Sequence, residues 1–158
     1  MAPKPTGVLT WDVAEIARVL KVEPEDVHEY FTDGRRVSFL LERRLAKEII
    51  KGTLASNEGA GYDLIDPSGK KWEVRSVTSS GIYFCPSYMV GSGRAFDEPG
   101  FLRKLKEIEG YIVSDVERFP NIPFWIVHRD VVLQWWQQRQ LGSTSKISRD
   151  RALVLLAR

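Results

Sequence analysis

The sequence predicts a single α/β (α+β) domain that carries a helical segment at its N-terminus. Apolar residues recur at helical spacing over the first 50 residues, and the spacing changes to the two-residue period of strands after Gly61. A continuous apolar run at Phe124–Val127 predicts a buried strand further along the chain. The chain has 158 residues, of which 43% are hydrophobic, which is enough for one core. We therefore expect one domain over residues 1–158.

Three helices are predicted in the N-terminal third. The first spans Trp11–Leu20, the second Glu25–Phe31 and the third about Ser38–Lys51, and each ends near a turn signal. Phe39 is expected to face the core from the third helix. Residues 1–35 would form a helical arm that is available for dimerisation or for DNA contact.

Strands and helices are predicted to alternate in the second half. Leu102, Leu105, Ile108, Ile112 and Val116 recur at helical spacing, which predicts one helix from about Asp97 to Glu117. The other predicted elements are a strand at Ile82–Cys85, a strand at Pro123–His128, a helix from Asp130 to about Gln140 and an element capped by Ser148. The apolar run in that last element fits a helix or a strand equally well.

The charge balance excludes a histone-like polycation. The net charge is +2 and the sequence pI is about 8.7, so any nucleic-acid contact must come from local basic patches. The candidate DNA-binding residues are Arg35 and Arg36 just before the third helix, Arg94 in a glycine-rich loop and Lys146 near the last helix. Arg103-Lys104-Lys106 is a further basic run. A solvated helix face would look the same at any one of these patches.

Several features favour a cytoplasmic protein. The chain has one cysteine, Cys85, which cannot form an internal disulfide and fits a reducing compartment as a buried thiol. No run approaches the roughly 18 apolar residues that a membrane span requires, so no membrane association is expected. The first seven residues lack the apolar segment of a secretory signal.

A tight hairpin is predicted around Asp66–Lys70. Asp66, Pro67 and Gly69 hold the positions that these residue types prefer in a type I turn. A left-handed Gly69 then completes a three-residue loop with a bulge. This geometry pairs Asp66 with Lys70 and sets the register of both strands.

The register of this hairpin brings two acids together. Counting outward from the turn places Asp63 opposite Glu73, with Cβ atoms about 5 Å apart on one face. Two carboxylates in this position repel each other, and a divalent cation bound between them removes the conflict. The same period places Lys71 and Arg75 on that face. The alternate side chains, Leu64, Trp72 and Val74, turn toward the core.

Two acids and two cations on one face suit the hydrolysis of a phosphodiester. A metal ion polarises the phosphate and lowers the pKa of the attacking water, and a nearby cation stabilises the charge of the transition state. Asp63, Glu73, Arg75 and Lys71 are therefore the candidate catalytic residues.

This region resembles the signature of the PD-(D/E)XK nucleases. Asp63, nine intervening residues and then Glu73-Val74-Arg75, on a hairpin after a helix, are similar to the Asp…Glu-x-Lys pattern. The small PvuII-type restriction endonucleases are the most similar members in this pattern and in the order of elements. The resemblance implies a restriction-endonuclease-like mixed central sheet flanked by helices, Mg²⁺ as cofactor and double-stranded DNA as substrate.

The same resemblance assigns roles to single residues. It makes Asp63 and Glu73 metal ligands and the Val74 carbonyl a third ligand. Arg75 stands at the lysine position of the family, and an arginine keeps its charge but does not release its proton to a water. Three outcomes remain open: Arg75 acts by charge alone, Lys71 takes over the role, or catalysis has been lost.

Glu42 and Glu48 resemble an acidic residue that some family members contribute from the preceding helix. Surface pairing with Arg44 or Lys47 is the simpler explanation of both. A homodimer is also predicted, because one active site cuts one strand and a symmetric duplex site calls for a two-fold assembly. The first two helices are the expected interface.

Two other classes of function remain open. Ala14–Leu20 and Val27–Phe31 resemble the helix-turn-helix of a non-catalytic DNA-binding protein, but three acids on the second helix would repel phosphates. Phe124-Trp125 and Trp135-Trp136 suggest a protein-interaction module, although adjacent aromatic residues are more often part of a core.

Overall fold

A mixed sheet with helices on both faces forms the centre of the molecule. The computed structural model describes residues 4–57 and 60–158. The helices are α1 (Val13–Leu20), α2 (Pro24–Thr32), α3 (Gly34–Arg44), α4 (Glu98–Glu107), α5 (Arg129–Gln137) and α6 (Arg149–Leu156), and a π-helical turn at Leu45–Ile50 extends α3. The strands are β1 (Gly7–Thr10), β2 (Thr53–Leu54), β3 (Leu64–Ile65), β4 (Lys71–Val77), β5 (Ile82–Tyr83), β6 (Gly110–Asp115), β7 (Asn121–His128) and β8 (Lys146–Ile147).

Six of these strands form the central sheet in the order β1-β7-β6-β4-β3-β2. β4 and β6 are parallel and α4 lies between them in the chain, whereas the other pairs are antiparallel. β5 and β8 form a separate two-stranded ribbon. The mixed α/β architecture with a helical N-terminal segment is therefore confirmed.

Each face of the sheet covers its own hydrophobic core. Helices α1 to α3 pack on one face, with Leu41, Leu64 and Ile112 wholly buried between them and the strands. Helices α4 to α6 pack on the other face, where Phe101 and Tyr111 are wholly buried. Burial of both faces explains why β6 has no exposed residue.

The region after Glu107 corrects the sequence prediction. A helix was expected to continue to Glu117, but α4 ends at Glu107 and Gly110–Asp115 is the central strand β6. Ile108, Ile112 and Val116 are all buried, as a helix would also require. A strand that is buried on both faces shows no alternation, so these three positions matched the helical period by coincidence.

The N-terminal helices leave apolar surface exposed. Phe39 was expected in the core, but 56% of it is exposed and the guanidinium of Arg43 lies 3.4 Å from its ring centre. Val19 and Leu20 are also more than half exposed, on the rim of an open groove of about 760 Å³ between α1, α2 and α3. In the residues that the structure describes, no helix is both long and apolar enough to cross a membrane.

The hairpin between β3 and β4 has the predicted turn and register. Leu64 pairs with Trp72, and the backbone N–H of Asp66 donates to the Lys70 carbonyl at 2.9 Å. Gly69 has φ +85°, the left-handed conformation that the loop requires. Asp66 Oδ1 accepts from Ser68 and Lys70, and Oδ2 accepts from Trp72 Nε1, so this carboxylate holds the turn together.

Candidate functional site

The candidate site lies where the β3–β4 ladder ends. Asp63 is one residue outside β3, and its backbone N–H donates to the Trp72 carbonyl at 3.0 Å. Its carboxylate Oδ2 accepts the backbone N–H of Val74 at 2.8 Å and so replaces a strand acceptor opposite β4. Asp63 is therefore not the simple ladder partner of Glu73 that was expected, but both carboxylates lie beside Nη1 of Arg75, Glu73 Oε2 at 2.8 Å and Asp63 Oδ2 at 4.0 Å. The structure thus brings the predicted pair of acids together.

Two buried cations bind Glu73. The Glu73 side chain is 7% exposed, and its Oε2 lies 2.8 Å from Nη1 of Arg75. Its other oxygen, Oε1, contacts Nζ of Lys104, which reaches the site from α4 and also donates to the Gly61 carbonyl. With Asp63, the cluster contains two acids and two cations. Its formal charge is therefore zero when all four groups are ionised.

The two acids experience opposite electrostatic environments. Burial and the neighbouring Glu73 carboxylate raise the pKa of Asp63 to about 7, and the Val74 N–H and Arg75 only partly offset them. Burial would also raise the pKa of Glu73, but Arg75 and Lys104 together lower it below its ordinary value. Asp63 has a weaker counter-charge, because Arg75 Nη1 is 4.0 Å from its Oδ2. The charge of Glu73 is thus compensated by ion pairs, whereas that of Asp63 is not.

Two backbone carbonyls fix the guanidinium of Arg75 beside the two acids. Its Nη1 donates to the Val74 carbonyl at 3.0 Å, and its Nη2 donates to the Cys85 carbonyl at 3.2 Å. The rings of Tyr83 and Tyr111 lie 5.1 and 5.9 Å from its guanidinium carbon. Burial would lower the pKa of Arg75, but Glu73 and the other acidic groups around it raise the pKa by more than burial lowers it. Arg75 therefore stays charged. Among the described residues, its Nε has no hydrogen-bond partner.

The other predicted cations lie outside the cluster. Lys71 is exposed, and its Nζ lies 5.1 Å from the ring centre of Tyr62. Arg36 pairs with Asp33 at 3.7 Å and lines the groove between the N-terminal helices.

The remaining predicted DNA-binding residues are exposed at separate places. Arg35 is exposed at the start of α3. Arg94 donates to two carbonyls of its own loop, those of Ser87 and Val90. Lys146 pairs in register with Tyr83, whose ring centre lies 5.1 Å from the guanidinium carbon of Arg75, so the β5–β8 ribbon connects Lys146 to the cluster.

A third acid, Glu42 on α3, lies close enough to the cluster for the charges of Glu73 and Arg75 to act on it. Burial raises the pKa of Glu42, and both Glu73 and Arg75 contribute to its electrostatic environment. Glu48, in contrast, pairs with Arg44 through a contact of 2.9 Å. Of the two acids singled out on this helix in the sequence, Glu42 is the one near the site.

The residues present fit a divalent cation bound by Asp63 and Glu73. Paired carboxylate oxygens are the ligands that hard divalent ions prefer, and the raised pKa of Asp63 marks a carboxyl with too little counter-charge. The described part of the chain contains no group of three or more Asp, Glu, His or Cys side chains arranged for a metal. Further ligands would therefore come from water or from backbone carbonyls. The Val74 carbonyl, the third ligand that the family resemblance implies, is engaged by Arg75.

Sequence reasoning missed the role of Lys104. It was assigned to an exposed basic run with Arg103 and Lys106, but its side chain is only 9% exposed. A usable signal was its place on the buried stripe of α4, three residues after Phe101 and four before Ile108. A charged residue in an apolar stripe indicates a buried partner.

The chain was also compared with known proteins. It matches no protein-family model and no curated protein sequence. Function must therefore be inferred from the chemistry of the site itself.

Proposed function

We propose that this protein is a magnesium-dependent endonuclease that hydrolyses phosphodiester bonds in double-stranded DNA, of the PD-(D/E)XK kind and most similar to type II restriction endonucleases. The observation that carries the proposal is the pair of carboxylates, Asp63 and Glu73, that lie within 4.0 Å of one fixed guanidinium nitrogen of Arg75. The crossover through α4 onto the parallel strand β6 buries this pair on one side. The Asp63 side chain remains 29% exposed, which leaves access for a substrate.

Each residue has a role that follows from its contacts. Asp63 and Glu73 would hold Mg²⁺, which supplies a polarised phosphate and a water of lowered pKa. Arg75 would stabilise negative charge on the phosphate, because its fixed guanidinium stays ionised and cannot act as a base. Lys71, on the exposed edge of the same face, would contact the DNA backbone.

The proposed DNA contacts use exposed cations at several places on the surface. Lys146 is adjacent to Tyr83 on the β5–β8 ribbon, so a duplex that reaches Arg75 would pass close to it. Arg35, Arg36 and Arg94 complete the proposed set of phosphate contacts. The protein is proposed to act in the cytoplasm.

A homodimer is part of the same proposal. One cluster cuts one strand, so a double-strand break at a symmetric site requires two copies. The groove between α1, α2 and α3 exposes Val19, Leu20 and Val22, and exposed apolar surface of this kind supports an interface at the first two helices. Light scattering after size-exclusion chromatography tests this, and a monomer both free and on DNA would contradict it.

The direct test is incubation of the purified protein with plasmid DNA, with Mg²⁺ or with EDTA. We expect nicking or linearisation with Mg²⁺ and none with EDTA. Calcium should also raise the melting temperature of the wild type and leave that of Asp63→Asn unchanged, because the variant lacks a ligand. A protein that leaves the plasmid intact across divalent ions and DNA sequences would contradict the proposed activity.

A non-catalytic DNA-binding protein on the same fold is the second candidate. The favouring observation is that Arg75 and Lys104 already neutralise Glu73, which suits a structural ion cluster as well as a metal site. This candidate predicts retardation of DNA that EDTA does not affect, and no cleavage.

A further inference from the structure

The ammonium of Lys104 is held in a site made of oxygen atoms. Nζ contacts Oε1 of Glu73 and the carbonyl oxygen of Gly61, and the side chain is 9% exposed. A carboxylate oxygen beside a backbone carbonyl is also a set of ligands that hard divalent cations take. Lys104 therefore holds the oxygen of Glu73 that Arg75 leaves free.

A divalent cation and this ammonium compete for the same carboxylate. The four side chains sum to zero charge when all are ionised, so adding a divalent ion beside them would place two uncompensated positive charges in a buried site. Withdrawal of the ammonium halves that excess. The withdrawal is feasible because the lysine stem is flexible and Gly61, whose carbonyl is the second partner of the ammonium, is exposed.

We propose that Lys104 is an internal counter-ion of the metal-free site, and that a divalent cation enters by displacing its ammonium from Glu73. This inference rests on the proposed function in one respect, namely that Asp63 and Glu73 bind the cation. Arg75 cannot leave in the same way, because its guanidinium is also fixed by the Val74 and Cys85 carbonyls. Lys104 is thus the cation of the cluster that exchanges.

The first experiment is a calcium titration by isothermal calorimetry on the wild type, Lys104→Met and the control Lys106→Met. Both substitutions remove one lysine charge from α4, but Lys106 is exposed and Lys104 is not. We expect Lys104→Met to bind calcium about tenfold more tightly than the wild type, because a close cationic competitor is gone. The control should stay within about twofold of the wild type, since exposed charges are well screened.

The second experiment separates displacement from simple repulsion, and it uses the wild-type protein. Lysine amines are methylated reductively with and without calcium, and the labelling of Lys104 is measured by mass spectrometry. Displacement predicts slow labelling of Lys104 without calcium and several-fold faster labelling with it. Repulsion alone would also tighten calcium binding in Lys104→Met but would leave Lys104 protected in the wild type.

The outcomes distinguish this inference from the proposed activity. If calcium binds the wild type through Asp63 and either Lys104→Met shows no gain in affinity or Lys104 stays protected, the exchange is wrong and the nuclease proposal stands. If both experiments give the expected result but Mg²⁺ supports no DNA cleavage, the exchange stands and the nuclease proposal is wrong. If calcium binds neither the wild type nor Lys104→Met, both are wrong.

Discussion

Two buried ion clusters lie at opposite ends of the β4–β6 pair, and they are built differently. At the end of β6, Asp115 is 1% exposed and binds Arg149 through both of its oxygens, with Nη2 to Oδ2 at 2.7 Å. That pair contains one acid and one cation in a fork geometry that satisfies both groups. At the start of β4, two acids share two cations unequally, and Asp63 receives the smaller share. Unequal compensation, rather than the burial of charge, distinguishes the candidate site.

The largest effects should come from neutralising one acid in each cluster. Asp63→Asn should abolish DNA cleavage and leave the melting temperature unchanged or raised, because it removes a ligand and a like-charge repulsion while its amide oxygen can still accept the Val74 N–H. Asp115→Asn should do the opposite and lower the free energy of unfolding by about 3 kcal/mol with cleavage retained. Plasmid cleavage and urea unfolding of both variants check this. Loss of cleavage in well-folded Asp115→Asn would remove the distinction between the clusters.

Glu73→Gln should also abolish cleavage but is the less clean variant. Glu73 compensates both Arg75 and Lys104, so its neutralisation leaves two buried cations with a weaker partner. A loss of stability is therefore expected for Glu73→Gln and not for Asp63→Asn. Equal stability of the two variants would show that the cations are better solvated than their contacts indicate.

A smaller effect is expected at Arg75, which stands where the nucleases that the hairpin resembles have a lysine. Arg75→Ala should reduce the cleavage rate about 100-fold with little change in DNA affinity, and Arg75→Lys should retain measurable activity, because charge on the phosphate is stabilised by any nearby cation. Lys71→Ala is the matched comparison on the same strand face and should change DNA affinity more than rate. Single-turnover rates and gel-shift affinities separate the two. A large rate loss in Lys71→Ala with an active Arg75→Ala would assign the role to Lys71.

The smallest effect is a pH dependence of stability in metal-free protein. The pKa of Asp63 is raised to about 7 in the folded state. Proton binding by this carboxyl therefore contributes fully to the free energy of unfolding below the ordinary pKa of 3.8, and the contribution is lost as pH rises through about 7. The free energy of unfolding of the wild type should fall relative to Asp63→Asn by roughly 2 kcal/mol between pH 5 and pH 8. Urea titrations in EDTA at both pH values measure this difference. Glu73 adds nothing over that range, because its pKa is lowered.

Local signals predicted the hairpin and its acids well. Asp66, Pro67 and Gly69 determine the turn from within five residues, and the register then follows by counting. The expectation that Asp63 would pair in the ladder was less accurate, because its side chain displaced a backbone acceptor. Whether a side chain replaces a backbone acceptor of a strand depends on the path of the chain before it. Here that path is set by the residues after β2, which the local turn signal does not determine.

Long-range packing determined what the sequence did not reveal. The strand β6 was mistaken for helix because sheet and helices bury both of its faces. Phe39 was predicted to lie in the core because it is an apolar residue on a helix. In the structure it lies at the surface, where Arg43 covers its ring. Lys104 became part of the cluster only through the crossover that carries α4 back over the hairpin.

That crossover also has a consequence for the order of folding. The β3–β4 hairpin is closed by neighbours in the chain and can form from contacts of low sequence separation, with Asp63 and Glu73 still in water. We expect Lys104 to join the site later, because the contact between α4 and the hairpin depends on the long-range pairing of β6 with β4. The hairpin should therefore form early in folding and speed it. Docking of α4 then stabilises the buried pair of acids by adding the charge of Lys104.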